Sequence, residues 1–145
     1  MTTQTMDHRV HHEGGISGSL DRLAPHAHWA LRLALAGVFV YHGLSKLMGL
    51  TEFAQMMHLP FAVALLVALA EFGGGIMVLA GAMTRDWITR VGALMIIPVM
   101  LGAIGMVHWG QWSFVPSASH PMGGMEFQVT LLLIAVYLAL KGNRA

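Results

Sequence analysis

The stretch Leu69-Ala70-Glu71-Phe72-Gly73-Gly74-Gly75-Ile76 decides the fold, because it sets a carboxyl group near the middle of an apolar run from Pro60 to Ala82. A run of that length can cross a bilayer, which takes roughly 20 helical residues. Glu71 then falls near the membrane midplane. A charge there costs about 2.5 to 3.5 kcal/mol on insertion scales, so such a residue is expected to face a protein interior. Helical spacing supports this orientation: Ala64, Ala68, Glu71, Gly74, Gly75 and Ala82 share one face, and small residues let a neighbouring helix approach.

Composition agrees. Apolar residues make up 56% of the chain and charged residues 10%, with a mean hydropathy of +0.65, values foreign to a soluble domain of this size. A net charge of +1 offers no broad basic surface, so nucleic acid is excluded as a partner and the lipid bilayer is the expected one. There are no cysteines, which removes dithiol redox chemistry, thiolate-held iron-sulfur clusters and the C-x-x-C-H haem attachment.

Residues 1–28 are polar and are expected to form a flexible, His-rich tail with a short turn at Leu20 to Leu23 before Pro25. His8, His11, His12 and Met6 are metal donors, but no spacing among them fixes a site. A first span is predicted over about 29–48. Arg32 lies near its start and is expected to snorkel to the headgroups. His42 and Lys46, four residues apart, share a face that points inward toward Glu71. Thr51 is predicted to cap a short interfacial helix. Pro60 opens the second span, over 60–82. The third covers 87–109, bent at Pro98 and closed by His108 on roughly the face of Gly102 and Gly105. Trp109, Trp112 and Phe114 read as an interfacial aromatic belt, and the fourth span covers 125–140.

Four spans joined by short links predict an all-α integral membrane four-helix bundle, one domain over residues 29–142. Arg9, Arg22, Arg32, Arg85, Arg90, Lys141 and Arg144 fall on one side and Lys46 alone on the other, which predicts cytoplasmic N and C termini. Depth along the spans then places His42, Lys46, Glu71, His108 and Glu126 in the outer half, as around an apolar pocket with a few polar groups. Bis-histidine haem does not fit, since His42 and His108 differ by about 9 Å in expected depth. A quinone fits better: His42 and Lys46 would donate to its oxygens and Glu71 would accept or release protons, the catalytic pair being Glu71 and His42. The same charges could instead be a structural ion pair. Outer-side copper handling is a third reading, resting on His120, Met122 and the neighbouring methionines, although methionine in a span is more often packing.

Together, Arg32, the segment from Gly37 containing His42-Gly43-x-x-Lys46, Glu71-x-Gly73-Gly74, Gly81 with Thr84-Arg85, His108 and Gly123-Gly124-x-Glu126 resemble the DoxX family of small four-helix membrane proteins. The resemblance covers residues 29–142. Two departures stand out, a KGN ending where the family is glycine-rich, and the His- and Met-rich tail and loops. The resemblance implies a multi-pass plasma-membrane protein of the prokaryotic inner membrane, linked to redox chemistry, with His42, Lys46, Glu71, His108 and Glu126 at the family's polar positions. It is compatible with a quinone-linked oxidoreductase subunit and with a noncatalytic anchor or assembly subunit. A redox protein partner or a homo-oligomer is expected, since the chain holds no soluble electron-transfer site and any enzyme reading needs a partner to deliver or remove electrons.

Overall fold

The computed structural model describes residues 16–144, and His8, His11, His12 and Met6 lie outside that range. Six α-helices follow one another: α1 (Ile16–Leu23), α2 (His28–Met48), α3 (Leu50–Met56), α4 (Phe61–Met83), α5 (Asp86–Ala103) and α6 (Glu126–Lys141). A 3-10 turn (Ala24–His26) links α1 to α2, a π-helical turn (Ile104–His108) extends α5, and a second 3-10 turn (Gly142–Arg144) follows α6. The segment before the first span is thus helical over Ile16–Leu23, where the sequence predicts only a short turn.

Among the described residues two helices, Phe61–Met83 and Asp86–His108, are long and apolar enough to cross a membrane. A third span results if α1 with its 3-10 turn and α2, bent by 43°, count as one. With 16 residues, α6 is shorter. The protein is an all-helical membrane protein. Leu35 and Phe39 of α2, Val78 of α4, Ala93, Ile96 and Met100 of α5, and Leu131, Ala135 and Leu138 of α6 bury one another in a single core. In space the order is α2, α4, α5, α6, each packed chiefly on the next.

The small-residue face of α4 is buried as its spacing predicts through Ala64, Ala68, Glu71, Gly74 and Gly75, and it continues through Val78 and Gly81, whereas Ala82, also expected on it, is only half-buried. Across from it, Gly43 of α2 lies against the backbone of Phe72, where an added Cβ would fall on the peptide nitrogen. Only glycine allows the two backbones to come that close.

Two boundaries and one shared face differ from expectation. Pro60 sits just outside α4, its ψ of 139° being extended, so the helix opens at Phe61. Thr51 lies inside α3, which starts after Gly49 without any side-chain cap. Pro98 lies within α5, and the register change comes later, in the π turn. That wide turn rotates the last residues: His108 is buried while Gly105 is exposed, so they do not share a face.

The largest correction concerns Arg32, which is fully buried instead of snorkelling. Its Nε donates to His28 Nδ1 (3.0 Å), one terminal nitrogen to Val78 O and Thr89 Oγ1 (both 2.9 Å), and the other to Gly142 O (2.9 Å) and Asn143 Oδ1 (3.1 Å). Asn143 is held in turn, donating from Nδ2 to Gly81 O (2.8 Å) and from its backbone to Asp86 Oδ1 (2.6 Å). Arg90 reaches the carbonyls of Ala139 and Leu140. One end of the bundle is therefore tied by a polar clamp joining α2, α4, α5 and the turn after α6.

Candidate functional site

Lys46 and Glu71 meet as the spacing predicts. The Lys46 ammonium donates to both carboxylate oxygens, at 2.6 and 2.5 Å, and lies 5.2 Å from the centre of the Phe53 ring. The close approach at Gly43, one turn before Lys46, brings α2 near enough for this short bridge. Burial is unequal: 4% of the Glu71 side chain is accessible and 22% of that of Lys46. The carboxylate is a wall of the protein interior, whereas the ammonium stands at its opening. An ammonium has three N–H donors. Two directions are taken by Glu71, which leaves one for another acceptor at the exposed side.

His42 does not join this pair. It is exposed on α2, its ring packed edge-on against Tyr41 at 5.4 Å between centroids. The four-residue spacing does put both side chains on one flank of α2, but that flank turns outward at His42 and meets α4 only at Lys46. Helical periodicity fixes the shared flank; the tilt between two helices fixes how far along it remains covered.

His108 is buried elsewhere. Its Nδ1 lies 2.9 Å from Gly123 O and its Nε2 is 2.9 Å from the Gln128 amide nitrogen. A carbonyl can only accept, so Nδ1 carries the proton and Nε2 accepts from Gln128. Gln128 Oε1 is buried without a protein partner among the described residues. Sequence reasoning passed over Gln128; its position two residues into an apolar helix was the available signal. Glu126 is separate again, in an open groove with Trp112, Phe114, Phe127 and Thr130. The five expected residues thus occupy four places rather than one pocket: the Lys46–Glu71 pair, the α2 surface at His42, the His108–Gln128 contact and the Glu126 groove. His120 is committed to the loop, its Nε2 2.8 Å from Trp109 O and its Nδ1 3.1 Å from Ser119 Oγ, and Met122 is exposed.

The DoxX family model matches residues 27–109. This chain belongs to the DoxX family. The DoxX match includes α2 to α5 and so contains His42, Lys46, Glu71 and His108, while Glu126, Gln128 and the clamp residues Gly142 and Asn143 follow it. The chain is also similar to a Bacillus subtilis (strain 168) protein named "Putative oxidoreductase CatD", 34% identical over 117 residues, which cover 79% of this chain and 78% of that one. No solved structure matches the chain.

Proposed function

We propose that this DoxX protein is a four-span subunit of a redox system in the prokaryotic inner membrane, with both termini cytoplasmic, and that it holds a quinone at the Lys46–Glu71 pair. Membership of the family and the oxidoreductase name of its relative support the redox class. The observation that carries the site is the ion pair itself: a carboxylate in the interior of an apolar helix, bridged to an ammonium that is partly open at the bundle surface.

These donors fit a quinone. A quinone oxygen approaching from the lipid meets the remaining N–H of Lys46, and His42, one turn away on the exposed flank of α2, supplies a second donor without any rearrangement of the core. When bound, the quinone supplies two-electron, two-proton chemistry. Lys46 orients its oxygen and stays bridged to both Glu71 carboxylate oxygens. Glu71 is then the base positioned to receive a proton relayed through Lys46, and the apolar wall around it keeps bulk water out. Electrons enter or leave through a redox protein partner or a second copy.

A noncatalytic anchor is the second reading, favoured by the two-point geometry of the ion pair and the tight Gly43–Phe72 contact, both of which serve packing. Mass spectrometry of gently solubilised protein separates the two. Quinone near one per chain, lost in a folded Glu71→Ala or His42→Ala variant, is expected. Quinone-free protein, with membrane-linked electron transfer unchanged in both variants, would overturn the proposal. Recovery of a protein partner under those conditions favours the anchor.

A further inference from the structure

The loop after the π turn is folded back onto the start of α6 by three backbone hydrogen bonds: Gly124 N–H to Ser113 O (2.8 Å), Met125 N–H to Gln111 O (2.9 Å) and Glu126 N–H to Trp112 O (3.0 Å). This strap carries Trp112 and Phe114 alongside Glu126, Phe127 and Thr130, and together they frame a groove of about 460 Å³. Three aromatic rings and one carboxylate line it. The Thr130 hydroxyl is already used, donating to the Glu126 carbonyl at 2.9 Å. The Glu126 carboxylate has neither a hydrogen bond nor an ion pair among the described residues.

This lining selects for charge. Aromatic faces are electron-rich and attract cations, and a carboxylate beside them adds a full opposite charge that an ammonium can meet with its N–H donors. An anion would meet repulsion from both, and an uncharged apolar group would cover the carboxylate without pairing it. Position narrows the source. The groove follows the apolar helix ending at His108, so a bilayer crossed by that helix would set its headgroups at this level, and α6 exposes Leu133, Tyr137 and Leu140 beyond Thr130, an apolar track for acyl chains. We propose that the groove holds the ammonium headgroup of a membrane phospholipid, with Glu126 as its counter-charge and Trp112, Phe114 and Phe127 as its flanks. This site is separate from the Lys46–Glu71 pair and does not depend on the quinone reading.

The test is native mass spectrometry of the full chain equilibrated in mild detergent with phosphatidylethanolamine or with phosphatidylglycerol. Wild-type protein is expected to retain phosphatidylethanolamine with about tenfold preference, and Glu126→Gln to remove that preference. Trp112→Leu leaves the charge in place and is expected to weaken phosphatidylethanolamine retention while phosphatidylglycerol stays unchanged, which keeps the test decisive if the Gln variant folds poorly. Equal retention of the two lipids by wild type, or a preference surviving both substitutions, would overturn the proposal. So would capture of soluble tetramethylammonium without any lipid preference, which would make the ligand a free amine.

Discussion

Arg32 and Gly142 are joined by a 2.9 Å hydrogen bond across 110 residues of sequence. The guanidinium has five N–H donors, and each has a partner: one ring nitrogen, two backbone carbonyls, one hydroxyl and one amide oxygen. No acceptor in this set is charged, and no donor is left over. A ligand has nothing to bind here, so the cluster is a clamp that holds the helices rather than a second site.

Arg32→Lys should be far from conservative. Lysine keeps the charge but lacks the planar fork, and it leaves several of the five acceptors without a donor. The expected loss is about 3 kcal/mol, read as a lower unfolding temperature by circular dichroism in detergent. A melting point within about 2 °C of wild type would show that the clamp contributes little.

Gly142→Ala probes the other end of that contact. Its φ of 59° favours glycine, and an added Cβ would run into the Asp86 carboxylate that holds the Asn143 backbone. A cost of roughly 1–3 kcal/mol is expected, with faster proteolysis of the last turn. Unchanged proteolysis would place the clamp's strength elsewhere.

Lys46 and Glu71 should show strong coupling. Lys46→Met leaves the buried Glu71 carboxylate without its partner and is expected to cost about 3–5 kcal/mol, Glu71→Leu leaves a partly exposed ammonium and is expected to cost less, and the double substitution should recover most of the larger loss. Folded yield and melting temperature of the four proteins give the cycle. Additive losses would mean that the two side chains act independently.

Gln128→Met should be mild. It removes the donor to His108 Nε2, but it also removes a buried oxygen that has no protein partner, and these effects oppose each other. A net change within about 1 kcal/mol is expected in thermal unfolding. Since Nδ1 still donates to Gly123, the nitrogen resonances of His108 should keep the same tautomer; a switch of the proton to Nε2 would contradict this assignment.

Periodicity made much of this structure readable. The buried face of α4 follows from its small residues, and the Lys46–Glu71 pair follows from two opposite charges in neighbouring apolar segments. His42 does not face inward with Lys46, because residues four apart share a flank without sharing a depth of cover: α4 closes over α2 at Gly43 and Lys46 and leaves His42 outside. His108 was placed with Gly105 because the count assumed an α-helix to the end, and a π turn adds a residue per turn. The snorkelling expectation for Arg32 followed from its nearness to a helix start. Its acceptors, Thr89 and Asn143, come from distant segments, and neither stands out in a single sequence. Gly142-Asn143, which lies beyond the residues the DoxX model matches, carries much of the clamp.

The clamp also sets a timetable for biogenesis. Arg32 leaves the ribosome 110 residues before Gly142, a gap of about 5–20 s at ordinary elongation rates, and throughout that interval at least two of its five donors have no native acceptor. A guanidinium in that condition stays at a wet boundary and does not sink into lipid. The first long helix is therefore expected to seat fully only once the last turn has arrived, which would make final closure of the bundle a late, post-insertion event.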